Sequence, residues 1–395
     1  MNTKWRLTLV VGYSIGIMGC GTSTLGRATP DGTGGSTAAA GGGSSGGSDA
    51  VGSGGSASGG AGSDGAAAGG RVGTGGTATG GGTGSGGETS ASTATPSEGC
   101  DVADGPDKLT MGGSSVPNGL ATSTKLSVTV GGSNREYIVD IPADYDPSHP
   151  YRLIFSWHQA FGSSNGNANG QYPANNGPNF DAEHYAFFGL HREATAANDP
   201  AIFVAPQGIG DFPWDYNRDV ALFDDVLALV TKNLCIDESR VFTTGFSFGA
   251  MMSHALSIGR ASKLRGAVTM APANYNFTQP ANEPETIAYF GITGMGDGTC
   301  KWVDSDANKT GGKYCVLTHA EDNGCTANGS FATATNGSKD HVCYDFEGCK
   351  EGYPVKVCTF DGAHTPSSIS DGMSGGDDGV LAFVPPLAWK FISEL

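Results

Sequence analysis

A serine at position 247 lies between two glycines in the segment 245–249, which reads GFSFG. The residues before it, 240–244, predict a short buried strand, and the residues after it, 250–256, predict a helix. A serine on such a strand-to-helix turn is a nucleophile whose hydroxyl projects into a cleft. A side chain at either glycine would collide with neighbouring backbone. The pattern therefore predicts nucleophilic attack by Ser247 on a carbonyl carbon.

The same turn predicts backbone donors for the oxyanion that such an attack creates. The N–H of Phe248 lies at the start of the predicted helix and can donate to the developing charge. A second N–H is expected from the loop after an early central strand, at 157–164, which reads WHQAFGSS. Ala160 is the predicted donor, with Gln159 beside it, and His158 is expected to brace the loop.

A serine nucleophile needs a base, and the base needs a carboxylate to orient it. With this type of turn, the acid and then the histidine follow the serine along the chain. Four histidines follow Ser247: His254, His319, His341 and His364. His364 is the predicted base because its loop comes directly after the last predicted strand. His254 falls in the helix next to the serine, and the other two lie in a cysteine-rich segment.

The predicted acid is Asp297, which follows a predicted strand at 286–293 by a few residues. Asp304 and Asp306 are its rivals in the same loop, and a turn-forming aspartate beside glycine is the alternative explanation of Asp297. Asp304, Asp306 and Asn308 also begin like a calcium loop. Lys309 replaces the glycine that such a loop requires, so no metal site is predicted.

The elements that must position these residues alternate between strand and helix. Strands are predicted at 125–130, 135–141, 151–157, 201–205, 241–244, 267–270, 286–293 and 355–360, and further helices at 219–234 and 387–395. This alternation predicts an α/β fold with a mostly parallel, doubly wound sheet and helices on both faces. Active sites in such sheets lie beyond the carboxyl ends of the strands, where each candidate residue falls.

The first twenty residues predict an export signal. Lys4 and Arg6 precede an apolar stretch at 7–18 that is short for a membrane span. The stretch ends in Gly19 and Cys20, as in bacterial signals whose cysteine becomes lipidated, and Cys20 is the predicted lipid anchor. An ordinary secretory signal with an incidental cysteine is the alternative.

Residues 21–99 predict a disordered linker, because they contain no Phe, Trp or Tyr and consist mostly of Gly, Ser, Ala and Thr. Residues 100–395 can then form one large domain. The formal net charge of −17 argues against nucleic acid as a partner. Contact with a membrane is expected only through the lipid anchor.

Eight cysteines remain after Cys20: Cys100, Cys235, Cys300, Cys315, Cys325, Cys343, Cys349 and Cys358. An even number in an exported chain predicts up to four disulfides. Zinc is the competing interpretation, and the lack of any C-x-x-C spacing argues against it.

From Cys100 to the C-terminus the chain resembles the secreted feruloyl esterases and the related polyhydroxybutyrate depolymerase-type esterases of the α/β-hydrolase superfamily. The resemblance lies in the segments REYIVDIP (135–142), FVAPQG (203–208), LCID (234–237), GFSFG (245–249), NGC (323–325) and GCKEGYPV (348–355), with Trp214. It implies Ser247 as nucleophile, Asp297 as acid and His364 as base, and it implies that Cys100 pairs with Cys235.

The resemblance also implies a substrate class, hydroxycinnamate esters on plant cell-wall polysaccharide, and requires no cofactor. Trp157, Phe161, Trp214 and Tyr216 are candidates for an aromatic substrate pocket, although each of them can equally belong to the core. One departure concerns the oxyanion loop. This family usually has His-Gly there, whereas this chain has His158 followed by Gln159, which leaves the particular ester open.

Alternative functions remain at this point. A polyhydroxybutyrate depolymerase-like or acetyl (xylan) esterase can use the same scaffold, and a peptidase can use the same catalytic residues. A surface lipoprotein that binds polysaccharide without catalysis is the alternative from another class, although it does not account for Ser, Asp and His at three strand ends.

Overall fold

The computed structural model describes residues 94–102, 104, 105, 109, 125–170, 185–326, 330–366 and 383–395. The predicted signal peptide at 1–20, with Cys20, and residues 21–93 of the predicted linker at 21–99 lie outside the described residues. Within the described part of the chain, no helix is both long and apolar enough to cross a membrane.

The described residues form a nine-stranded sheet in the order β1-β2-β4-β3-β5-β6-β7-β9-β8. Its strands are β1 (Leu126–Val130), β2 (Ser133–Asp140), β3 (Tyr151–Trp157), β4 (Ala201–Pro206), β5 (Ile236–Phe246), β6 (Gly266–Met270), β7 (Ala288–Gly294), β8 (His341–Asp345) and β9 (Val355–Phe360). The six strands from β4 to β9 in this order are parallel. β1, β2 and β8 pair antiparallel at the two edges. The predicted mostly parallel sheet is confirmed.

Helices cover both faces of the sheet. They are α1 (Ser164–Ala168), α2 (Leu190–Ala196), α3 (Tyr216–Asn233), α4 (Phe248–Gly259), α5 (Gly312–Asp322) and α6 (Val384–Ser393). Alternate residues of each central strand face opposite sides, so Phe290 of β7 packs against Phe391 of α6 while Tyr289 packs against His319 of α5. The helix α2 belongs to the same apolar cluster as α6. The helices α3 and α4 cover the remaining part of the second face. This is the doubly wound arrangement that the sequence predicted.

Continuous apolar runs explain the central strands. All seven residues of β3 and all six of β4 are buried, as expected for parallel strands covered on both faces. Four elements were not predicted: the edge strand β8 and the helices α1, α2 and α5. The sequence of α5, GKYCVLTHAED, has a weak apolar stripe, and tertiary contacts decide its conformation.

The ordered domain begins before the predicted boundary at Cys100. Ser97 donates its N–H to the carbonyl oxygen of Ile236 (2.9 Å), and Glu238 donates its N–H to that of Thr95 (2.8 Å). Residues 95–97 therefore pair with the start of β5, and Gly99 donates its N–H to the carbonyl oxygen of Thr231 in α3 (2.8 Å). The assignment of residues 95–99 to the linker is corrected. The adjacent disulfide joins Cys100 to Cys235, as the resemblance implied.

Two further disulfides join Cys325 to Cys349 and Cys343 to Cys358. Cys343 and Cys358 are register partners on β8 and β9, so this bond fastens the edge strand to the sheet. Cys300 and Cys315 are buried and carry free thiols. Three disulfides thus form where the cysteine count allowed up to four.

Two histidines lie buried between α4, α5 and β7. His319 hydrogen-bonds through Nε2 to the hydroxyl of Ser257 (2.9 Å) and stacks on Tyr289 with ring centroids 4.1 Å apart. The Nδ1 atom of His254 lies 3.3 Å from the hydroxyl of Tyr289. Burial lowers the pKa of His254 to about 4. Burial, with a contribution from His254, lowers the pKa of His319 well below its usual value.

These lowered pKa values predict a loss of stability in acid. Below about pH 6.5 the unfolded chain binds protons that the folded chain does not, so stability falls as pH falls. In urea unfolding at pH 7.5 and 5.0, His319→Gln should reduce this loss by about 2 kcal/mol, because glutamine does not titrate. His149→Gln, at an exposed loop position, is the control. An equal loss in wild type and His319→Gln would contradict the prediction.

Candidate active site

Ser247 lies on a strained turn between β5 and α4. Its backbone has φ 56° and ψ −120°, in a region that non-glycine residues rarely adopt. Such strain costs about 1–3 kcal/mol and persists only where surrounding structure enforces it. A Cβ on Gly245 would lie 2.4 Å from the carbonyl carbon of Gly249, and a Cβ on Gly249 would lie 1.9 Å from the carbonyl oxygen of Trp157. Both glycines of the motif are therefore required by close backbone packing.

The structure brings His364 between Ser247 and Asp297. The Nε2 atom of His364 lies 2.9 Å from Ser247 Oγ, and its Nδ1 atom lies 2.7 Å from Asp297 Oδ2. Asp297 follows β7 and His364 follows β9, so residues far apart in the chain meet at the carboxyl ends of three strands. A carboxylate accepts only, so Nδ1 carries the proton and Nε2 is free to accept one from the serine hydroxyl.

Asp297 is held by backbone amides as well as by the histidine. Its Oδ1 atom accepts hydrogen bonds from the N–H groups of Thr299 (2.8 Å) and Cys300 (2.7 Å). The Asp297 side chain is fully buried, whereas that of His364 is 24% exposed. Both carboxylate oxygens are thus occupied, and the imidazole is fixed on one side while a substrate can reach it on the other. Such a group can take a proton from a serine and return it to a leaving group.

The rival residues lie elsewhere. His254 and His319 belong to the buried cluster between α4, α5 and β7. The His341 ring stacks on Phe383, with ring centroids 4.0 Å apart. Asp304 accepts hydrogen bonds from Lys301 and Thr310. Asp306 accepts one from the hydroxyl of Tyr314.

The loop after β3 lies against the first turn of α4. Phe248 is the first residue of α4, where N–H groups have no partner within the helix. The N–H of Gly162 donates to the carbonyl oxygen of Gln159 (3.1 Å), which closes a turn around Ala160 and Phe161. The predicted donors Ala160 and Phe248 therefore belong to two segments that meet next to Ser247.

His158 braces this loop, as expected. Its Nδ1 donates to the carbonyl oxygen of Gln159 (2.8 Å), and its Nε2 accepts from the N–H of Gly208 (3.1 Å). Trp214 Nε1 donates to the carbonyl oxygen of His158 (2.7 Å). Burial lowers the pKa of His158 to about 4, so the ring stays neutral and keeps one donor and one acceptor.

Three of the four aromatic residues predicted to line a substrate pocket belong to the core. Trp157 is completely buried and donates its indole N–H to Thr243 Oγ1 (3.0 Å). Trp214 packs edge-on against it, and Tyr216 is also buried. For these three residues the structure favours the core, the alternative that the sequence left open, because their side chains are buried. Phe161 is 66% exposed, and a substrate can reach it.

Cys300 is a site residue that the sequence did not reveal. Its N–H donates to Asp297 Oδ1 (2.7 Å), and its buried thiol lies beside Ser247. Burial, with the charge of Asp297, raises the pKa of the Cys300 thiol to about 12, so the group remains protonated. The available sequence signal was its position three residues after the predicted acid.

The sheet order, the strained serine turn and the Ser-His-Asp geometry define an α/β-hydrolase. No protein-family model matches the chain. The chain is 30% identical over 305 residues to feruloyl esterase D of Neurospora crassa, covering 77% of this chain and 92% of that protein. It is 32% identical over 260 residues to feruloyl esterase C of Emericella nidulans, covering 66% and 84% respectively.

A solved structure of a ferulic acid esterase from Anaeromyces mucronatus, in complex with ferulic acid, is 16% identical, with a TM-score of 0.39 over 55% of this chain and 85% of that one. The sequence relatives establish the family: the chain belongs to the feruloyl esterases, which are carboxylic ester hydrolases.

The Cys300 contact predicts a selective kinetic effect. Cys300→Ala removes the buried thiol beside Ser247, so kcat should fall about threefold to tenfold with little change in KM. Cys315→Ala is the matched control because it removes the same group from another buried free cysteine. We expect the control to keep the wild-type kcat. The same loss in both variants, or none in Cys300→Ala, would contradict a role specific to Cys300.

Proposed function

We propose that this chain is an exported serine esterase that releases hydroxycinnamic acids from plant cell-wall polysaccharide. The observation that carries the proposal is the position of His364, 2.9 Å from Ser247 Oγ and 2.7 Å from Asp297 Oδ2, in a chain of the feruloyl esterase family. The names of the relatives, feruloyl esterases, support a hydroxycinnamoyl group as the acyl part of the ester. The arrangement of the three side chains supplies the reaction type.

In the proposed mechanism, Ser247 Oγ attacks the ester carbonyl while His364 Nε2 takes the serine proton. Asp297 keeps the proton of His364 on Nδ1 and stabilises the imidazolium. The N–H groups of Ala160 and Phe248 donate to the tetrahedral oxyanion. His364 then protonates the departing alcohol, and a water molecule activated by His364 releases the acid from Ser247. This sequence of steps requires no cofactor.

Export and anchoring are part of the proposal. The signal pattern at 1–20 and three disulfides fit an oxidising compartment outside the cytosol. Cys20 would carry the lipid, and the segment 21–93 would separate the anchor from the catalytic domain. A surface-attached esterase needs such reach to contact an insoluble polymer.

The activity is tested with methyl ferulate and a fluorophosphonate probe. We expect wild type to hydrolyse methyl ferulate and to be labelled at one serine, and Ser247→Ala to lose both properties. His364→Ala should lower kcat by at least about a thousandfold, as losses within such triads do. A tenfold effect would show that another group is the base. Labelling of Ser247→Ala at wild-type level would refute the nucleophile.

Polyhydroxybutyrate film, acetylated xylan and a peptide anilide, assayed beside methyl ferulate, separate the alternatives. A preference for the polyester or the acetyl ester would replace the hydroxycinnamate assignment and leave the serine mechanism intact. A preference for the amide would indicate a peptidase. The absence of both turnover and labelling would favour the non-catalytic polysaccharide-binding alternative. Gln159, which stands where the family usually has glycine, makes this comparison necessary.

Lipidation of Cys20 predicts incorporation of radiolabelled palmitate by the full-length chain in its native host. Cys20→Ser should abolish the label, because the thiol is the acceptor. The label should also partition with membranes. A Cys20→Ser chain that still incorporates palmitate would refute the anchor.

A further inference from the structure

A row of phenylalanine rings extends outward from Ser247. Phe248 directly follows the serine; its ring centroid lies 5.5 Å from that of Phe212, which lies 5.6 Å from that of Phe161. Among the described residues, the exposed large apolar side chains are Phe161 (66%), Phe212 (63%) and Ile209 (49%). All three lie in the loops after β3 and β4. We call Phe161, Phe212 and Phe248 the aromatic ridge.

Phe161 and Phe212 of the aromatic ridge lie on the loops after β3 and β4, which are hydrogen-bonded to each other. Phe161 donates its N–H to the carbonyl oxygen of Asp211 (2.8 Å), which joins the loops directly. The backbone of Phe161 has φ 59°, a strained value that this contact helps to maintain. Arg135 Nη2 donates to the carbonyl oxygen of Gln207 (3.1 Å) at the start of the second loop. The exposed rings are therefore carried by fixed backbone.

The sheet order places the ridge on the acyl side of the serine. Ser247 follows β5; the ridge loops follow β3 and β4 on one side of it, and His364 follows β9 on the other. In the proposed mechanism the leaving alcohol must lie at His364, which protonates it, and the oxyanion must lie at Phe248 N–H. The acyl substituent then points away from His364, toward the loops after β3 and β4.

The chemistry of the ridge favours an aryl group over a sugar. Phenylalanine rings have no hydroxyl or indole N–H with which to bind sugar hydroxyls. The rings of Phe161 and Phe212 meet at 60°, and those of Phe212 and Phe248 at 51°. They present both edges and faces, the geometry in which aromatic pairs prefer to pack. Such exposed apolar surface beside a reactive serine indicates a ligand contact.

We propose that the aromatic ridge binds the aryl ring of the acyl group and that Phe212 selects acyl groups whose ring is separated from the carbonyl by a two-carbon spacer. Phe248 is the ring nearest the reacting carbonyl. It suits an acyl group whose aryl ring is bonded directly to the carbonyl carbon. Phe212 is the next ring outward, where a propenoyl spacer would carry the aryl ring. This inference rests on the proposed ester hydrolysis and names Phe212 as the residue that determines which length of acyl group is preferred.

The test compares methyl ferulate with methyl vanillate, which carries the same substituted ring without the spacer. Phe212→Ala should lower kcat/KM for methyl ferulate about fivefold to tenfold, the value of one aromatic contact, and for methyl vanillate less than about twofold. A feruloylated arabino-oligosaccharide should lose the same factor as methyl ferulate. Phe212 is largely exposed, so we expect the melting temperature to stay unchanged.

Ile209→Ala is the control because it removes an exposed apolar side chain from the same loop, outside the ridge. Its ferulate-to-vanillate ratio should equal that of wild type. An unchanged ratio in Phe212→Ala would overturn the inference while leaving the esterase intact. A loss confined to the oligosaccharide would assign the ridge to the sugar and also overturn it. Wild type that cleaves neither methyl ester would refute the proposed function itself.

Discussion

The close approach of Gly249 to the carbonyl oxygen of Trp157 is the constraint on which the site depends. It leaves no room for a side chain and presses the first turn of α4 against the loop after β3. Two consequences follow from the same contact. The chain must reverse sharply at Ser247, which takes a positive φ, and the segments that carry Ala160 and Phe248 are brought together. This one close contact thus positions both Ser247 and the proposed oxyanion donors.

The rest of the catalytic geometry depends on a buried carboxylate that is fully hydrogen-bonded. Asp297 accepts two backbone N–H groups on one oxygen and His364 on the other. A buried charge is tolerated when its acceptor sites are satisfied in this way. The loop after β7 therefore contributes the acid and also, through Thr299 and Cys300, the donors that hold it. The Cys300 thiol also lies beside Ser247, so this loop borders both Asp297 and Ser247.

The loops at the carboxyl end of the sheet divide into two pairs with different parts in the candidate site. The proposed base and acid come from the loops after β9 and β7, whereas the loops after β3 and β4 carry the exposed rings. Because His158 joins these two loops to each other and Arg135 joins them to β2, their rings can change identity without disturbing the strands. This separation lets one ester-cleaving scaffold accept different acyl groups.

The sequence by itself determined the central strands, the serine turn and the order of Ser247, Asp297 and His364, since continuous apolar runs and required glycines are local features. Resemblance added the Cys100–Cys235 disulfide. Only the tertiary structure decided three things. They are the burial of Trp157, Trp214 and Tyr216, the rings that contact Phe161, and the position of the Cys300 thiol. An aromatic residue is apolar in sequence whether it fills a core or borders a site. Which one occurs depends on how loops distant in the chain pack together.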